Sequence, residues 1–147
     1  MTPFELELKR AVYDGAISLG VIPRKAQLAA TTGHSEEEVA EALGQLADDH
    51  VLVLQRDGGE ILMANPFSAV PTPFIVRAGT RQWYGNCIWD GMGIAAMLHT
   101  EATLDASCGC CGSAIVLALP GDCRDEDHRV AHFAIPAAHW WDDIIFN

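Results

Sequence analysis

The sequence predicts an α+β fold, with a winged-helix-like three-helix module over residues 1–64 and a small mixed-sheet domain over residues 65–147. Three observations carry this expectation. Apolar residues recur at helical spacing through the first third of the chain, and a capping box opens the most regular of those stretches. Beyond a proline-punctuated segment, the pattern changes to short β-prone runs separated by turns.

Taken in order, Leu8, Val12, Ile17 and Leu19 predict a helix over 5–19, stopped by Gly20. A shorter helix fits 24–32, after Pro23 and before Gly33. The third is the best defined. Ser35 is its N-cap and Glu38 the reciprocal partner, and acidic residues in the first turn suit the helix dipole. Val39, Leu43 and Leu46 form its buried stripe, and it should end near Asp49. Strands Val51–Gln55 and Glu60–Ala64 then flank the turn Asp57-Gly58-Gly59. Three helices followed by a hairpin is the winged-helix order. Asn65–Pro73 reads as the linker between the two modules. Beyond it, a strand is expected at Phe74–Ala78, a helix over 83–98, and strands near 101–106, 113–119 and 129–135. Ala137–Asp143 follows Pro136 as a short helix, with Ile144–Phe146 as a last strand.

Composition narrows the functional classes. Half the residues are hydrophobic, enough for a core without disulfide staples. No apolar run approaches the roughly 18 residues that span a bilayer, and the N-terminus lacks the layout of a signal peptide, so a cytoplasmic protein is expected, with no membrane partner. The net charge of −11 is spread evenly: −6 over residues 1–64 (11 acidic, 5 basic) and −5 over 65–147 (9 acidic, 4 basic). The third helix carries Glu36, Glu37, Glu38, Glu41, Asp48 and Asp49 and no basic residue. Nucleic-acid recognition needs Lys and Arg against phosphate, so no nucleic-acid partner is expected and the partner is a small-molecule substrate. The sequence does not read out an oligomeric state.

Cys87-Ile88-Trp89-Asp90 is the segment richest in chemistry. A thiol and a carboxyl three residues apart share one helix face. Near a helix N-terminus the dipole favours thiolate, the form that attacks and binds soft metals. Asp90 lies among Trp83, Ile88, Trp89, Met92 and Ile94, where desolvation raises a carboxyl pKa and suits it to hold and deliver a proton. A buried structural Cys with a capping or salt-bridged Asp would satisfy the same four-residue string. The other thiols are Cys108, Cys110, Cys111 and Cys123, an odd total of five that argues against a disulfide framework. Ser107–Gly112 reads as a tight turn between strands, and Cys108 and Cys111 are candidate soft-metal ligands, with Cys123 and His128 or His132 as further donors. A structural zinc site would bring a second ligand pair at recognisable spacing, and none is present. His139–Asp143, with two Trp, either walls a pocket or lies as a half-buried surface helix.

Several segments together resemble the organomercurial (alkylmercury) lyase family: Asn65–Pro73, Tyr84–Ile94 around Cys87 and Asp90, the Ser107–Ile115 turn, His128–Phe133, and Trp140–Asp143. The N-terminal module fits the family as well. The resemblance implies an alkylmercury-lyase-like core over 65–147 and protonolysis of a carbon–mercury bond. Cys87 would then coordinate the metal as thiolate, and Asp90 would protonate the leaving carbon. No cofactor is implied; mercury(II) enters as part of substrate and product, and an external thiol removes it. The family's second catalytic cysteine is missing, its place falling on or near Asp127. Cys123, a thiol of the Cys108–Cys111 turn, or a small-molecule thiol could substitute. Two alternatives follow from that loss: the same pair acting on a non-mercurial small molecule, or soft-metal binding without turnover.

Overall fold

The computed structural model describes residues 1–119 and 130–145. Three helices come first: α1 (Pro3–Leu19), α2 (Lys25–Thr32) and α3 (Glu36–Asp48). α1 begins earlier than its apolar spacing suggests because a second capping box opens it. Glu5 N–H donates to Thr2 Oγ1 at 3.2 Å, and Thr2 N–H donates to Glu5 Oε2 at 2.6 Å. Pro3 supplies the preset φ of a first helical residue. Gly20 and Gly33 end α1 and α2 in the left-handed conformation. The Ser35/Glu38 box opens α3 as expected, and Val39, Leu43 and Leu46 are fully buried.

The strands are β1 (Val53–Leu54), β2 (Ile61–Ala64), β3 (Phe67–Ser68), β4 (Phe74–Ala78), β5 (Arg81–Gly85), β6 (Ala102–Ser107) and β7 (Ala114–Leu119). They form one sheet in the order β1-β2-β3-β5-β4-β6-β7. Every pairing among the described residues is antiparallel, so the expectation of a mixed sheet is corrected. The physical reason lies in the connections. β4–β5 and β6–β7 are hairpins, and the one helical crossover, α4 (Ile88–Leu98), returns the chain antiparallel beside β4. The residues read as the start of a helix over 83–98 are instead β5, with Trp83 buried in the sheet. The segment 65–73 is not an open linker. Its β3 joins the first hairpin to β5, and Phe67 is 2 % exposed.

Sheet and core therefore run across position 64/65. One apolar cluster joins Leu8, Val12, Leu43 and Leu46 of the helices to Phe67, Val76, Ile94 and Leu104. Two side chains tie α1 to the same body. Trp83 Nε1 donates to the Ala16 carbonyl at 2.8 Å, and Tyr13 Oη donates to the Asn65 carbonyl at 2.9 Å. Among the described residues, no helix is long and apolar enough to cross a membrane. The short helix expected over Ala137–Asp143 is a 3-10 helix (Ala137–Asp142), whereas 130–135 forms no strand.

Register fixes what lies at each end of the sheet. Phe74 pairs with Gly85, Ile75 with Asp105, and Ser107 with Ala114. The start of β4, the end of β5 and the β6–β7 turn thus share one end. Cys87 lies at that end too, two residues beyond Gly85.

Candidate functional site

α4 lies across the sheet in close contact, and glycine makes this possible. A Cβ on Gly85 would stand 2.7 Å from the Gly91 nitrogen, and one on Gly91 would stand 2.6 Å from Leu104 Cδ1. Gly in a helix interior costs about 1 kcal/mol relative to Ala. Here that cost is offset by seating the first turn of α4 directly on β5 and on the fully buried Leu104.

Cys87 is the N-cap of α4, in extended conformation (φ −146°, ψ −177°), and its carbonyl accepts from Gly91 N–H at 3.0 Å. Its side chain makes no capping bond to the helix backbone. The thiol turns to Asp90 instead, donating to Oδ2 at 3.5 Å. The two residues singled out by spacing are therefore brought together. Their protonation differs in part from what helix position alone suggests. Burial pushes the Cys87 thiol up, against the pull of the Asp90 and Trp89 backbone amides, and the Asp90 carboxylate adds to the rise. Desolvation outweighs the helix terminus here, so the net direction is opposite to the one helix position alone suggests. Asp90 is raised as well, chiefly by burial, with hydrogen bonds from Cys87 and Asn86 pulling it back. That direction agrees with its apolar surroundings in sequence.

Three polar residues missed by sequence reading hold this pair. Asn86 Nδ2 donates to Asn65 Oδ1 at 3.0 Å and reaches the Phe67 carbonyl at 3.5 Å. Asn86 Oδ1 is buried and, among the described residues, unpartnered. Thr72 Oγ1 donates to the Gly85 carbonyl at 2.6 Å and accepts from Phe74 N–H at 3.2 Å. The segment 65–73 thus laces the end of β5 from one side, while Pro66 lies 3.4 Å from where a Cβ of Gly93 would stand. The available signals were a polar Asn directly before the candidate nucleophile and a Thr between two prolines. Neither is distinctive.

The remaining candidates separate. Cys108 and Cys111 lie on the β6–β7 turn, and Cys123, His128 and Asp127 lie outside the described residues. No group of three or more metal-ligating side chains forms among the described residues. The Trp-rich run is not gathered on Cys87 by any of its observed contacts: Trp141 stacks on His50 at 4.2 Å, and Trp140 Nε1 donates to the Ile135 carbonyl at 2.8 Å. Trp89, in the first turn of α4, is the aromatic beside the pair, and it is 61 % exposed. A surface depression of about 590 Å³ lined by Ala78, Ala102 and Leu119 lies at the opposite end of the sheet, away from this chemistry.

Comparison with known proteins bears on this site. A family model described as alkylmercury lyase matches residues 67–146. No curated protein matches the chain. Among solved structures, the chain is similar to the crystal structure of the mercury-bound form of MerB2, with a TM-score of 0.64 and 19% sequence identity. The likeness covers 81% of this chain and 57% of that one, so this chain spans somewhat over half of that protein's length. At such identity the likeness is one of fold.

Proposed function

The chain belongs to the alkylmercury lyase family, and on that premise we propose that it cleaves carbon–mercury bonds by protonolysis, with Cys87 as metal ligand and Asp90 as proton carrier. The observation that carries the reading is the Cys87 Sγ to Asp90 Oδ2 contact of 3.5 Å. The chemistry resides in residues 65–147, with residues 1–64 as a supporting module.

The raised pKa values support an internal proton circuit. A thiol whose burial beside a carboxylate resists ionisation gives its proton up more readily as a soft cation takes the sulfur. In the first step the S–H bond breaks, an S–Hg bond forms to R–Hg–X, and the proton passes to Asp90. In the second, Asp90 delivers that proton to the carbon. A C–H bond forms, the C–Hg bond breaks, and R–H leaves with Cys87–S–Hg–X behind. An external thiol then exchanges onto mercury and returns its proton to Cys87. Atoms and charge balance with no redox partner. Burial favours the protonated carboxyl between the two steps. The external thiol also serves as the second sulfur on mercury, the role left by the absent family cysteine near Asp127; Cys123 is the intramolecular candidate for the same role.

The test is incubation with phenylmercury and excess monothiol, with benzene release measured. Wild type should turn over, and Cys87→Ser should lose about 10⁴-fold or more, as removal of a nucleophile does elsewhere. Equal slow release from both proteins would sink the reading. Phenylmercury captured stoichiometrically at Cys87 without benzene would leave a soft-metal binding site. No capture at all would turn attention to a non-mercurial substrate for the same pair.

A further inference from the structure

The β6–β7 turn holds a second group of thiols that the reaction above does not use. Gly112 N–H donates to the Cys108 carbonyl at 2.8 Å, and Cys108 N–H donates to the Ser113 carbonyl at 2.9 Å. The first bond closes one helix-like turn over residues 108–112, and Gly112 at φ +70° lets the chain leave it into β7. Residues three apart on such a turn present their side chains to one side, with Cβ atoms about 5–6 Å apart. Cys108 and Cys111 have that spacing, whereas Cys110 does not share the face.

We propose that Cys108 and Cys111 form a two-thiol site for mercury(II), separate from Cys87 and placed at the same end of the sheet. Mercury(II) is satisfied by two sulfur ligands and favours soft donors, so a surface dithiol suffices for it. On binding, two S–H bonds are replaced by two S–Hg bonds, and two protons leave to solvent. Zinc(II) requires four ligands, and no third or fourth side chain gathers there among the described residues.

Two further observations fit this assignment. Cys111 Sγ lies 3.2 Å from Ser113 Oγ, and the Cys108 thiol is a hydrogen-bonding neighbour of the Cys111 thiol. Position matters as well. Gly85 is two strands from Ser107 across β5-β4-β6, roughly 10 Å at about 4.8 Å per strand. A mercury ion leaving Cys87 therefore meets this turn at the same rim. The dithiol itself does not depend on the lyase reading, because it can be loaded with mercury(II) directly.

The experiment uses the full chain, reduced, in a Cys87→Ser background, so that loss of lyase activity does not affect the readout. Mercuric chloride is titrated against excess glutathione, followed by the thiolate-to-mercury ultraviolet band and by mercury retained after gel filtration. The Cys87→Ser protein should hold about one ion per chain through competition. Adding Cys108→Ser or Cys111→Ser should weaken retention about 10²-fold or more, since a chelate becomes a single contact. Adding Cys110→Ser should change it less than about two-fold, because that thiol is off the shared face. Retention undiminished in the Cys108→Ser/Cys111→Ser protein overturns the site, as does loss with Cys110→Ser as complete as with Cys111→Ser. Zinc(II) held as tightly and lost in the same variants would also overturn it. Circular dichroism melts check that each variant is folded.

Discussion

Cys87 and Cys111 are the same side chain in opposite settings, only a few strands apart. Cys87 is half-buried at a helix start, and its thiol is pushed up by desolvation. Cys111 is exposed on a turn, and hydrogen bonds draw its thiol down. A helix N-terminus is commonly taken as the place where cysteine becomes thiolate. Here the thiol on the solvated turn is drawn down and the one at the helix terminus is pushed up, because removing water from a charge outweighs two backbone amides. The contrast has a chemical use. On the mechanism proposed above, a thiol that supplies the proton for carbon–mercury cleavage retains it until metal arrives, whereas a thiol that only binds metal does better without one.

The strongest way to break this comparison is to remove the carboxylate proposed as proton carrier. Asp90→Asn should lower benzene release about 10²–10⁴-fold, the usual contribution of a positioned proton donor. Phenylmercury should still be captured at Cys87, as read by mass spectrometry of the intact adduct. A variant that captures and cleaves like wild type would leave Asp90 with no role in the chemistry.

Packing beneath the pair gives the next largest effect. Gly91→Ala drives a Cβ to 2.6 Å from Leu104 Cδ1 and should destabilise by about 1–3 kcal/mol in denaturant melts. Gly44→Ala, in α3 with no atom within 4 Å of its new Cβ, should instead stabilise by about 0.5–1 kcal/mol. Like signs for the two substitutions would refute the account of why α4 tolerates glycine.

Alkylation rates sharpen the thiol contrast directly. With iodoacetamide at neutral pH and peptide mapping, Cys111 should react faster than Cys87. Asp90→Asn should shift the Cys87 profile to lower pH, since the carboxylate raises that thiol by charge and by hydrogen bond. Ser113→Ala should shift Cys111 upward.

The smallest effect is on stability. The Asp90 pKa is raised on folding, so the folded state binds more protons than the unfolded chain above 3.8. Its contribution is fully present below 3.8 and is lost as pH rises through the folded value. At pH 7 the wild type therefore carries a burial penalty that Asp90→Asn lacks. The variant should melt higher at pH 7, and the advantage should vanish near pH 4. A difference independent of pH would exclude this cause.

What could be read from sequence followed the range of the interactions involved. The Ser35/Glu38 box and the glycine stops are local, and they delimit the helices without help from the rest of the chain. Phe74–Ala78 was legible as a strand from its own composition. β3 was not, because two residues become a strand only by pairing with other segments, β2 on one side and Gly85 of β5 on the other. Trp83 and Tyr84 read as helix because they run into an apolar helical stretch, and pairing with β4 overrode that pattern. In the site, Cys87 and Asp90 were legible by spacing. The upward push on the Cys87 thiol was not, since it depends on burial that only the assembled fold creates. Asn65, Thr72 and Asn86 act through bonds to the distant segment they meet, and nothing local marks them.

The glycine contact between β5 and α4 has a practical consequence for studying catalysis. Cys87 is located by main chain resting on main chain, not by what its own sulfur touches. Exchanging the sulfur or the carboxylate should therefore leave the scaffold's coordinates nearly unchanged. Inactive variants of this chain are well suited to trapping: an intact mercurial should sit in Asp90→Asn crystals long enough to be imaged, arrested one proton short of cleavage.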